Sequence, residues 1–219
     1  EILVIDDNSK DETPKIAKQN GANVISHDLN GDFSAQRNYG LENVKTEWTL
    51  FVDADEIVSN ELKMEILDKI ETSNENGFYL KRQDYFISKY LKYGDPGSFR
   101  SIRLAKTNKG KWTGKVHEVW EIPNVSITLK NPLNHLPHIT LSSMIDTLNN
   151  YSTIRANELH QSKVSSGVIE IVSYPIAKFV QNYYIRKGFL DGSHGMANAI
   201  LMSFYSFLVR SKLLLLNRK

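Results

Sequence analysis

The chain has 219 residues, a formal net charge of +2 and no cysteine, with 41% hydrophobic and 24% charged residues. This is the balance of a globular protein and excludes a disordered one, and so small a charge gives no argument for a nucleic-acid partner. The lack of cysteine excludes a disulfide scaffold and thiolate metal sites, and the length suits one sizeable core with a small appendage.

In chain order, "EILVIDD" is a short apolar strand ending in acid, already under way at the first residue. A preceding element is therefore expected upstream of it. Pro14 opens the helix "PKIAKQNG", with Gly21 as its stop signal. "ANVISHD" reads as a second strand, "FSAQRNYGLENVK" as a helix and "EWTLFVDADE" as a third strand. "SNELKMEILDKIE" is an amphipathic helix with Leu62, Ile66, Leu67 and Ile70 on one side. Strand and helix in alternation predict an α/β fold with a parallel sheet. After Gly77 come three predicted strands, "GFYLKRQDYFI", "FRSIRLAK" and "VSITLKN", of antiparallel or mixed pairing. From Ser142 the pattern is helical. The organisation expected is a catalytic core over 1–141 and a helical extension over 142–219. No unbroken run reaches the roughly 18 apolar residues of a membrane-spanning helix.

The chemistry concentrates at strand ends, where open α/β sheets bind ligands. Asp6 and Asp7 close the first strand, Asp53 and Asp55 the third, and neighbouring parallel strands would put both pairs on one rim. Three acids in "DADE" exceed what a helix cap needs, and carboxylates this close repel unless something positive lies between them. A hard divalent cation shared with a substrate phosphate would supply that charge.

The segments "VIDDNSKDET", "FSAQRNYGLENVKTEWTLFVDADE", "WTGKVHE" and "RKGFLDGSHG", in this order and spacing, resemble the family-2 glycosyltransferases. The group they most resemble is the bacterial lipopolysaccharide-core and surface-glycan sugar transferases. The resemblance implies a GT-A fold: a three-layer α/β sandwich with a mixed, mainly parallel sheet, followed by C-terminal helices. Here the first strand and helix of that fold are missing. It implies an inverting sugar transfer from a nucleotide-diphosphate donor, a UDP-sugar by family habit, to a lipid-linked or lipopolysaccharide-core glycan. Asp6 would accept a hydrogen bond from the base of the nucleotide. Arg37 would lie near the nucleotide or its diphosphate. Asp53 would touch ribose or the metal shell, and Asp55 would ligate Mn²⁺ or Mg²⁺. His138 is the histidine that best matches the family's additional metal ligand, with His135 close by. The acceptor hydroxyl needs a base, for which Glu118 is the choice and His117 the alternative. Only one of these adjacent residues should face the cleft. Trp112 and Trp120 are expected in the core, and "GFLDGSHG" with Asp191 is expected to be architecture.

The C-terminal segment mixes aromatics and leucines with Lys178, Arg186, Lys187, Arg210, Lys212, Arg218 and Lys219. That suits contact with an anionic membrane surface, and hence a cytoplasmic enzyme peripheral to the inner face of the cytoplasmic membrane. Three other readings compete: a protein or peptide glycosyltransferase, a phosphohydrolase of the haloacid-dehalogenase type, and a non-catalytic sugar-binding fragment. The phosphohydrolase also places Asp-x-Asp after an apolar strand. It needs Thr or Gly next, however, where this chain has Glu56 and Ile57.

Overall fold

A computed structural model describes residues 1–114, 118–137 and 140–217. The chain arranges into two units: Glu1–Ala54, Val58–Lys81 and Arg100–Pro132 in the first, and Asp55–Ile57, Arg82–Phe99 and Leu133–Lys219 in the second.

In the first unit, β1 (Leu3–Asp6) pairs in parallel with β2 (Asn23–Ser26), and α1 (Thr13–Gln19) crosses between them. Proline in its first turn starts α1, and Gly21, at φ 83°, follows its end. α2 (Phe33–Asn43) begins at Asp32, whose carboxylate accepts the Ala35 N–H at 2.9 Å. β3 (Trp48–Leu50) follows, and α3 (Asn60–Thr72) starts where the Ser59 hydroxyl accepts the Leu62 N–H. Leu62 is fully buried on α3 while Leu67 is 43% exposed, so the buried stripe is narrower than the sequence pattern predicts. β3 lies antiparallel to β7 (Arg100–Lys106), which lies antiparallel to the opening half of β5 (Gly77–Phe86). The hairpin of β8 (Lys111–Thr113) and β9 (Val119–Glu121) stacks Trp112 on Trp120, both buried, with Phe51 edge-on to each. The two tryptophans are core, as expected, and join Ile102 and Ala105 in one cluster.

In the second unit, β4 (Glu56–Ile57) pairs antiparallel with β10 (Leu133–His135), which runs parallel to the closing half of β5. β6 (Lys89–Tyr90) returns on β5, and the five-residue α4 (Gly94–Ser98) follows. Three helices complete the unit: α5 (Leu141–Gln161), α6 (Val168–Val180) and α7 (Ser193–Asn217). Between α6 and α7 lie a π-helical turn, Gln181–Ile185, and a 3-10 turn, Gly188–Asp191. That connection is architecture, as expected: a side chain at Gly195 would meet the Gly188 carbonyl oxygen at 1.9 Å. Asp191, 3% exposed, accepts the N–H groups of Lys92 and Tyr93, both at 2.9 Å.

Several expectations change. The sheet is mixed, yet among the described ladders only β1–β2 and β5–β10 are parallel. Parallel neighbours need a long crossover, and only β6 and α4 separate β5 from β7. β1 pairs with β2 and β3 with β7, so the strands carrying Asp6 and leading to Asp53 are not ladder neighbours. "VSITLKN" forms no strand beyond a bridge of Thr128 with Tyr79, because the Lys130 and Asn131 N–H groups turn to the Glu65 carboxylate. Finally, α7 is by length and composition apolar enough to cross a membrane, with a mean hydropathy of 1.6. Its serines, Asn198 and Arg210 break the apolar run, which is why a search for unbroken stretches passes over it.

Candidate active site

Arg37 is the hub of the first unit's polar cluster. It lies on α2, where the next residue, Asn38, trades two 2.9 Å hydrogen bonds with the Trp112 backbone and ties the helix to β8. Arg37 sits 4.7 Å over the Trp112 ring and 5.7 Å over Phe51. Its Nη2 donates to Asp53 Oδ1 at 2.9 Å and its Nε to Glu118 Oε1 at 3.0 Å. Arg103, from the middle of β7, donates its Nη2 to Asp53 Oδ2 at 2.8 Å. The guanidiniums are 12% and 10% exposed and Asp53 is 37% exposed, so the pairs are held away from bulk water without being sealed. Burial works against the Asp53 charge, but Arg103 and Arg37 overcome it and hold that carboxyl below the usual aspartate range. Among the described residues, two arginines thus bring positive charge to Asp53.

The second unit carries a different cluster. His135, at the end of β10, has Nδ1 2.8 Å from Asp84 Oδ1 and Nε2 3.1 Å from Asp55 Oδ2. Arg82, two residues before Asp84 on the same face of β5, donates its Nε to Asp84 Oδ1 at 2.8 Å. A hydrogen bond to Asp84 raises the His135 pKa, against burial and the Arg82 charge. Burial opposes ionisation of Asp84, but His135 and Arg82 prevail and lower its pKa. Among the described residues, no group of three or more His, Asp or Glu converges to hold a metal alone. Asp55 and His135 nonetheless offer one carboxylate oxygen and one ring nitrogen. Mn²⁺ or Mg²⁺ keeps waters and takes substrate phosphate oxygens, so it needs few protein ligands, and these two fit it.

Of the residues picked from sequence, Arg37, Asp53 and Glu118 come together, although 81 positions separate the outer two. Glu118 pairs with Arg37 and is 15% exposed. Asp6 is 5% exposed, and its Oδ2 accepts the Ser9 N–H at 2.9 Å. Asp53 falls in the first unit and Asp55 in the second. His117 and His138 lie outside the described residues. Sequence reasoning missed Arg103, Arg82 and Asp84. The one signal for Arg103 was a charge inside the apolar strand "SIRLA", and "KRQDYF" held an Arg and an Asp at the alternate positions of a strand.

The sequence profile described as Glycosyl transferase family 2 matches residues 1–122. The uncharacterized glycosyltransferase RP128 of Rickettsia prowazekii (strain Madrid E) is 25% identical over 97% of this chain and 77% of its own length. The lipopolysaccharide core biosynthesis glycosyltransferase LpsC of Rhizobium meliloti (strain 1021) is 24% identical over 83% of this chain and 68% of its own. Among solved structures, S. aureus TarS 1-349 in complex with UDP-GlcNAc is similar at 13% identity and a TM-score of 0.49, over 100% of this chain and 82% of that one. The profile covers more than half of the chain and takes in Asp6, Arg37, Asp53, Arg103 and Glu118. On that span, the chain belongs to glycosyl transferase family 2 and carries the α/β GT-A core of these transferases.

Proposed function

We propose that this glycosyltransferase moves a sugar, with inversion, from a nucleotide-diphosphate donor to a lipid-linked or lipopolysaccharide-core glycan during cell-envelope synthesis. The observation that carries the reading is the convergence of Arg37, Asp53 and Glu118 inside the span matched by the family profile. The likeness to LpsC over most of the chain favours a lipopolysaccharide-core acceptor over a polypeptide.

In a single displacement the acceptor oxygen bonds to the anomeric carbon as the bond from that carbon to the diphosphate oxygen breaks. The acceptor proton goes to a carboxylate. Glu118 is that base, and Arg37 orients it through Nε while fixing Asp53 through Nη2. Asp53 and Asp6 receive the ribose and base of a UDP-type donor. Asp55 and His135 would hold a divalent cation, whose positive charge when bound would favour a departing diphosphate. The enzyme works at the cytoplasmic face of the membrane that holds its acceptor, with the C-terminal helices against the lipid.

Glu118→Gln is the direct test. It should bind a UDP-sugar with wild-type affinity by calorimetry while transfer to a lipid or glycan acceptor falls by about a hundredfold or more, the range of a lost general base. Wild-type turnover in that variant would take the base away from Glu118.

A further inference from the structure

We propose that the outward stripe of α6, together with the π-helical turn after it, is the face that seats the protein on a bilayer rich in anionic headgroups. This rests on the membrane placement above and assigns it a surface and a lipid class. Ile169, Val172, Ile176 and Val180 recur at intervals of three, four and four residues, the spacing of one helix face. They are 78%, 55%, 59% and 40% exposed. Tyr184, four residues on, is 60% exposed and Ile185 71%. The opposite side of α6 already has its partner in α7: the Ser203 hydroxyl donates to the Pro175 carbonyl at 2.8 Å, and Arg210 lies 3.7 Å over the Tyr174 ring. A helix apolar on its packed side and again on its open side is not that of a protein bathed in water on both.

Charge decides what covers the stripe. Between positions 162 and 217 there are six lysines and arginines and two acids. Of the cations, Lys178 and Arg186 pair with Asp95, Arg210 lies over Tyr174, and Lys212 donates to Asn149, Ser152 and Thr153, which leaves Lys163 and Lys187 to carry the argument. Both acids already accept backbone donors: Glu170 takes the Gly167 N–H at 2.8 Å at the start of α6, and the buried Asp191 takes two N–H groups from the β6–α4 segment. Lys163 and Lys187 are exposed and bracket the stripe in sequence. A second copy docked symmetrically on this face would bring like charges together, whereas anionic headgroups complement them. Exposed Tyr184 suits the headgroup level, where aromatic rings with a polar edge collect. From Ile169 to Tyr184 the face is roughly 22 Å long at 1.5 Å per residue, too short to span a bilayer, so it lies in the plane of the surface.

Flotation of the full chain with phosphatidylcholine vesicles, alone or mixed equally with phosphatidylglycerol, tests this. The wild type should float with the mixed vesicles, and more weakly as salt rises. Ile169→Glu with Ile176→Glu should lower that partition at least about tenfold. Met64→Glu, an equally exposed apolar site on α3, should leave it unchanged. Should the glutamates melt α6 by circular dichroism, Lys163→Ala with Lys187→Ala keeps the stripe and should lower anionic partition by about tenfold. A wild type that ignores all vesicles sinks the membrane placement itself. One that floats regardless of both double variants leaves the placement standing and overturns this face. A concentration-dependent dimer lost in Ile176→Glu would show that the occupant is a second copy.

Discussion

At the scale of single residues, Asp53 matters because of what it separates. Arg37 and Arg103 each reach one of its oxygens, so without the carboxylate two barely exposed guanidiniums would each lose a charged partner. Asp53→Asn should therefore cost about 1–3 kcal/mol in urea unfolding. That lies below the range of a sealed ion pair, because Asp53 itself is 37% exposed. An unfolding midpoint equal to wild type would show that the arginines relax outward. The ionic partners of this cluster were only half legible in the sequence. "DADE" and "SAQRNYG" declare themselves through charge density and motif, and the structure brings their Asp53 and Arg37 into one ion pair. Arg103 did not, because one arginine within a strand looks the same whether it faces solvent or a carboxylate 50 residues away. For the same reason His135 could not be separated from His138: the contacts to Asp84 and Asp55 arise from strand register, which no local pattern encodes.

At the scale of elements, α3 does more than bury Leu62. Its Glu65 accepts the N–H groups of Lys130 and Asn131 at 2.7 and 2.8 Å, and the Asn131 side-chain amide at 2.8 Å, so one helix residue fixes the segment leading to β10. This capture replaced a predicted strand with an irregular run. Strand-like composition in "VSITLKN" is a weak preference that a carboxylate with three donors overrides. Partial burial works against the Glu65 charge, yet the backbone donors of Lys130 and Asn131 outweigh it and hold its pKa below the ordinary 4.5. A group depressed on folding adds stability that is present above its unfolded pKa and lost as pH falls through the folded value. Glu65→Gln should then be less stable than wild type by about 1 kcal/mol at neutral pH. The gap should narrow in thermal melts as pH is taken down from neutral through the acid range below 4.5. A gap independent of pH would mean that the amide fails by shape and that charge has no part.

At the scale of the whole molecule, the alternation of strand and helix over the first seventy residues was readable because each element carries its own start and stop signals. The parallel pairing of β1 with β2 and the antiparallel pairing of β5 with β7 were readable too, but the antiparallel place of β3 beside β7 was not, since it follows from how the chain returns after β5. The second unit, which collects residues from three stretches of chain, could not be foreseen from composition alone. This division puts Asp55 with His135 and Asp53 with Arg37, so the two aspartates of one motif answer to different partners. Donor and cation should therefore be separable in a binding experiment on the intact chain. Ligand held at a hundred times its dissociation constant stabilises the folded state by about 2.7 kcal/mol, roughly 5–10 °C for a chain of this length. Scanning calorimetry with UDP alone, and then with Mn²⁺ added, should show two increments in the wild type. In His135→Gln the UDP increment should survive while the one due to Mn²⁺ disappears, because the ring nitrogen beside Asp55 has gone. Equal Mn²⁺ increments in both proteins would remove His135 from the cation's surroundings and return that place to a residue elsewhere in the chain.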